Sequence, residues 1–234
     1  MAVNRVQSIV RVSSSPVASS SITAPPSCGP RRTEPLDASH VLNGRLVLPT
    51  PDSMLVYVYA DITHADCMTG RTIAWAYICQ VAPGAVLGQF GRPVLGYVNL
   101  CVPNWQSLSS VLMHELVHLV GFVPEYFAQS FPNFALYDTV GRPQGAVAFA
   151  RDHFGCGPGT VSSPYDDTFR RGIPTFLSGH MDPNLVGDDF MAGCVSPVIE
   201  YRFTEMTARI LGDLGNTNPQ VPLALLIHSP ILQF

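Results

Sequence analysis

Val111-Leu-Met-His114-Glu115-Leu-Val-His118-Leu-Val-Gly121-Phe122 is the stretch on which the reading of this chain turns. Residues four apart share one face of an α-helix, so His114 and His118 can hold one metal ion. Glu115 sits beside them, placed to reach a water at that metal rather than the metal itself. The flanks Val111, Leu112, Met113, Leu116, Val117, Leu119 and Val120 are apolar on almost every side, which predicts a buried helix. Buried ionisable groups are costly unless paired or metal-bound. Two histidines and a glutamate packed this closely on such a helix therefore need a reason.

The pattern H-E-x-x-H-x-x-G is that of a zincin active site, in which a metal-activated water attacks a peptide carbonyl. Gly121 fits the end of the helix, because glycine turns the chain in the left-handed region without strain. Ser107, Ser109 and Ser110 are candidate caps at its start.

Composition is consistent with a packed enzyme-sized domain. The chain has 234 residues, 47% hydrophobic and only 13% charged, with net charge −4 and no basic run. This speaks against disorder and against a nucleic-acid partner. The six cysteines, Cys28, Cys67, Cys79, Cys101, Cys156 and Cys194, include no C-x-x-C pair, so they predict disulfides rather than a cysteine zinc site. No stretch reaches the roughly 20 apolar residues of a membrane span. Neither a convincing signal peptide nor an anchor is evident, although the tail from Val221 is apolar.

Residues 1–36 are rich in Ser, Pro and Arg and read as a poorly ordered leader. Strands are expected at 53–60, 73–81 and 92–102, just ahead of the metal helix. Within the last of these, Val94 to Val102 is expected to bind extended substrate by strand addition. Residues 123–147 and 155–190 read as loops, with a short helix at 146–154 between them and another at 204–214. The fold class is therefore α+β: a twisted sheet packed on the active-site helix (37–122), a lower loop-rich part (123–216) and a divergent tail (217–234).

A catalytic zinc takes three protein ligands and keeps one position open. In the elongated metzincin motif the third histidine falls ten residues after the first. That position is Pro124, which cannot ligate. The candidates are Glu125, His153, His180, Glu200 and Glu205. His180 follows Gly179 and precedes Asp189-Phe-Met191-Ala-Gly193, where Met191 suits a Met-turn; Met181 and Met206 are the alternatives for that methionine. Asp182, Asp188 and Asp189 are candidate acceptors for the imidazoles' second nitrogens.

The ordered set H-E-L-V-H-L-V-G-F, S-G-H-M and D-F-M-A-G resembles the leishmanolysin family of surface metalloproteases. So do Met54-Leu-Val-Tyr-Val-Tyr59, residues 72–80, residues 91–99 and residues 150–156. The likeness covers about residues 50–215. It implies a metzincin-like zinc endopeptidase with one zinc ion on His114, His118 and His180, Glu115 as general base and Met191 in the Met-turn. It also implies polypeptide substrates, an extracellular or cell-surface location, and membrane association through an anchor not evident in this sequence. The family's propeptide and its cysteine-rich C-terminal domain are not evident either, so a truncated form is expected. In that setting Cys28 reads as a disulfide partner of Cys79 rather than as a zinc-blocking latch. Two alternatives stand beside this reading: a non-catalytic surface or adhesion protein on the same fold, and a thermolysin-type peptidase with Glu205 as third ligand.

Overall fold

The structure is a computed structural model that describes residues 22–48, 53–70, 72–82, 91–101, 108–123, 180–181, 188–189, 191–192, 202–211 and 224–228. The chain divides into two compact units, residues 1–120 with 218–234, and residues 121–217.

The first unit is built on a four-stranded mixed sheet. Its strands are β3 (Ser53–Tyr59), β4 (Ala74–Ala82), β5 (Arg92–Leu100) and β6 (Ala224–His228), in the order β4-β5-β3-β6. β3 runs parallel to both β5 and β6, and β4 runs antiparallel to β5. All nine residues of β5 are buried, as expected of an interior strand covered on both faces. This corrects the expectation that residues 94–102 receive a substrate strand. Both edges of β5 already carry ladders, to β3 and to β4, so no hydrogen-bonding groups are left for an added chain. Among the described residues, the outer edge of β4 carries no pairing strand.

A mixed sheet with few helices makes the unit α+β. The helices are α1 (Ala65–Met68) and α2 (Leu108–Leu119), and α2 packs on β4 and β5. Gly96 permits that contact. A Cβ there would lie 2.7 Å from Leu119 Cδ2 on α2 and 2.9 Å from the Tyr77 carbonyl oxygen on β4. Side chains alternate across a strand, so Leu95 and Tyr97 face away from α2.

That second face is covered by residues 22–48. Ile22, Cys28, Leu46 and Leu48 join Leu55, Tyr57, Leu95 and Tyr97 in one buried cluster. The tyrosine hydroxyls fasten the cover: Tyr59 donates to the Cys28 carbonyl (2.9 Å), and Tyr57 accepts from the Asp37 amide (3.0 Å). Residues 22–36 are thus packed structure, not the end of a loose leader. Apolar Ile22 and the bridged Cys28 give this Pro/Ser-rich stretch its anchorage. Within the cover, β1 (Val41–Leu42) and β2 (Arg45–Leu46) form an antiparallel hairpin. Its turn residues Asn43 (φ 50°) and Gly44 (φ 73°) are both left-handed, the geometry that favours Asn-Gly in tight hairpins.

Two disulfides staple this unit. The expected Cys28–Cys79 bond is present with Cα atoms 5.8 Å apart. Cys79 sits where the β4–β5 register shifts between Ile78 and Gln80, so the bridge ties the cover to a bulge in β4. A second bond joins Cys67 to Cys101. Beside it the buried Asn99 side chain accepts from the Asp61 amide (2.9 Å) and donates to the Asp61 carbonyl (3.2 Å). Cys156 and Cys194 lie outside the described residues.

In the second unit, the described helix is α3 (Glu205–Leu211), within the segment expected at 204–214. The helix expected at 146–154 lies outside the described residues.

Candidate metal centre

Helix α2 starts at Leu108, so Ser109 and Ser110 lie inside it and do not cap it. Met113, Leu116, Val117, Leu119 and Val120 are buried. This apolar anchorage fixes the helix rotation and sets where the polar residues point. Gly121, at φ 112°, ends the helix in a conformation that side chains rarely adopt.

His114 and His118 meet on the α2 surface with their rings edge to face and their Nε2 atoms 3.1 Å apart. Two neutral imidazole nitrogens cannot face each other this closely unless a proton or a cation sits between them. Tetrahedral zinc with Zn–N bonds near 2.0–2.1 Å would place its nitrogens about 3.3 Å apart. His114 and His118 thus offer two imidazole nitrogens at one place on α2, and imidazole suits zinc. Glu205 is exposed at the start of α3. Pro124, Glu125, His153 and Glu200 lie outside the described residues.

Glu115 is 5% exposed, and burial pushes its carboxyl up to about 8. A carboxyl that exchanges its proton near neutrality is suited to acid–base work at that pH.

In the second unit, His180 is half-buried and precedes Met181, which pairs with Ala192 in a parallel bridge. The Met181 amide donates to the Met191 carbonyl at 2.8 Å. Met181 and Met191 are both fully buried. Asp189 is one of the three candidate acceptors for an imidazole. Its carboxylate is instead engaged by the Met191 amide and by the hydroxyls of Thr204 and Thr207. Asp188 pairs with Arg202 at 3.4 Å, and Asp182 lies outside the described residues. The signal for Asp189 was present in the sequence, as an Asp two residues before the methionine and a Thr-x-x-Thr at the helix start.

Comparison with known proteins bears on this geometry. The model of the leishmanolysin peptidase family matches residues 52–221. The chain belongs to the leishmanolysin family. It is thereby a member of a metallopeptidase family. Leishmanolysin of Leishmania tropica is 26% identical over 156 residues, which cover 61% of this chain and 22% of that protein. The chain thus matches about a fifth of the length of that curated relative. No solved structure matches it. Among the described residues, no helix is long and apolar enough to cross a membrane.

Proposed function

We propose that this chain is a zinc-dependent metalloendopeptidase on a metzincin-like fold. His114, His118 and His180 hold one zinc ion, Glu115 is the general base and Met191 forms the Met-turn. The observation that carries the reading is the pair of Nε2 atoms 3.1 Å apart on α2. Zinc held there supplies Lewis acidity to a scissile carbonyl and lowers the pKa of a water.

The rest is the work of the chain. Coordination through Nε2 would leave the Nδ1–H of His114 and of His118 to donate to an acceptor, which fixes ring orientation. Glu115 takes a proton from the attacking water and delivers it to the leaving amine. An extended polypeptide docks along the outer edge of β4, the strand against which α2 packs. Family membership and two disulfides support an extracellular or cell-surface setting.

The test is metal analysis of the purified chain, with a peptidase assay before and after chelation. One zinc per chain is expected, with activity lost on chelation and regained on adding zinc. A folded chain that binds no zinc would overturn the proposal, and so would a zinc-loaded chain that cleaves no peptide.

A further inference from the structure

The buried carboxylate of Asp189 has no role in the chemistry above, yet it lies at the centre of a hydrogen-bond cluster. Its side chain is fully buried. Oδ1 accepts from the Met191 amide at 2.7 Å and from the Thr207 hydroxyl at 2.8 Å. Oδ2 accepts from Thr207 at 2.8 Å and from the Thr204 hydroxyl. Burying a carboxylate is costly unless its oxygens are satisfied. Among the described residues its partners are neutral donors, and burial pushes its carboxyl above the usual range while these hydrogen bonds oppose that. The Met191 amide can only donate, and the two hydroxyls, which can do either, are turned here to donate, so a group that accepts on both oxygens satisfies all three. An Asn could keep the Met191 amide on its Oδ1, but its NH2 would face the two hydroxyls, which would have to turn from donating to accepting.

The hydrogen bonds continue from Asp189 to His180. The Asp189 side chain holds the Met191 amide, and its own carbonyl accepts from the Ala192 amide at 3.0 Å. Those two bonds fix the turn at 189–192. The Met191 carbonyl in turn accepts from the Met181 amide at 2.8 Å, and Met181 bridges Ala192. The Met181 amide belongs to the peptide bond that leaves His180. On the other side, Thr204 and Thr207 belong to the start and first turns of α3, so the turn is tied to a helix rather than to another loop.

We infer that Asp189 is the positioning residue for His180, fastening the turn that carries the His180–Met181 peptide to helix α3. The inference rests on the proposal that His180 is the third zinc ligand. It assigns Asp189 no contact with zinc or substrate. The effect passes through backbone groups alone: an uncertain turn lets the peptide after His180 shift, and the imidazole is no longer presented in one place.

The test is a double-mutant cycle on the full chain, read by zinc affinity in competition with a chromophoric chelator and by the visible spectrum of the cobalt-substituted protein. Asp189→Asn should lower zinc affinity about 10- to 100-fold, the usual range for residues that orient metal ligands. His180→Ala should lower it at least as much. In the His180→Ala background, Asp189→Asn should cause no further loss, because there is no third imidazole left to misplace. The cobalt spectrum of Asp189→Asn should move toward that of His180→Ala. Thr207→Val removes a single donor and serves if Asp189→Asn does not fold; a smaller loss, also absent in the His180→Ala background, is expected. Equal losses in both backgrounds would reduce Asp189 to general stability and overturn the inference while leaving the ligand assignment intact. Unchanged affinity in Asp189→Asn, with a loss in His180→Ala, would do the same. Unchanged affinity in His180→Ala would overturn the ligand assignment and the inference with it.

Discussion

Replacing Gly96 by alanine tests whether the sheet and the histidine helix fit as tightly as the geometry states. The new methyl would lie 2.7 Å from Leu119 Cδ2, 2.9 Å from the Tyr77 carbonyl oxygen and 3.2 Å from Met54 Cε. Carbon atoms prefer about 3.5–4.0 Å. The Leu119 methyl can swing away at an off-rotamer cost of roughly 0.5–1.5 kcal/mol. The carbonyl cannot, because it belongs to a strand laddered to β5. Overpacking of this kind costs about 1–3 kcal/mol. The lower entropy of the unfolded alanine chain returns roughly 0.4–1 kcal/mol. The net expectation is a loss of about 1–2 kcal/mol in urea unfolding of the metal-free chain. Zinc affinity should fall too, since Leu119 adjoins His118. Gly44 is the control. A Cβ there meets nothing within 4 Å, but φ is +73°, so the penalty is conformational. Asparagine tolerates that region, so Gly44→Asn should be milder than Gly44→Ala, whereas Gly96→Asn should be worse than Gly96→Ala. A Gly96→Ala protein as stable as the parent would refute the steric argument.

Glu115→Gln should retain zinc by metal analysis while losing peptidase activity, because an amide cannot accept the proton; activity within a few-fold of the parent would remove Glu115 as base. Replacing Cys28 and Cys79 together by serine should lower stability by about 4 kcal/mol, the loop-closure value for a separation of 51 residues, measured by denaturant unfolding under non-reducing conditions. The Arg31 guanidinium holds Asp61 down to about 2 from its ordinary 3.8. A depressed carboxyl stabilises the fold above its unfolded pKa, and the gain is lost as pH falls through the folded one. Stability should therefore decline between about pH 4 and pH 2, and Arg31→Gln should flatten that decline in acid-unfolding curves.

The histidine helix was legible because its chemistry conflicts with its surroundings. Charge-bearing residues among Met113, Leu116, Val117 and Leu119 are informative in a way that an apolar helix alone is not. Three strands were legible from β-branched and aromatic runs, but their neighbours were not. Nothing local in Arg92–Leu100 says whether it lies at an edge or in the interior, because that depends on partners far along the chain. Residues 22–36 were misread because Ser and Pro conceal the few contacts that anchor them, Ile22 and Cys28. The hairpin at Asn43-Gly44 carried a recognisable turn signal that went unread. Pairing of Cys67 with Cys101 could not be read, since it is a product of folded proximity.

The parallel pairing of β3 with β6 also constrains how the protein is made. Ser53 lies opposite Ala224, so roughly 170 residues separate the partners, a long-range closure of the kind that slows folding. During synthesis β3 leaves the ribosome long before β6 exists. One margin of the sheet stays open throughout that interval, including the time in which residues 121–217 are made. An open strand margin is a template for pairing with another chain, so nascent copies are exposed to mispairing until residues 224–228 arrive. Translation rate across that stretch then becomes a determinant of yield, separate from the stability of the finished molecule.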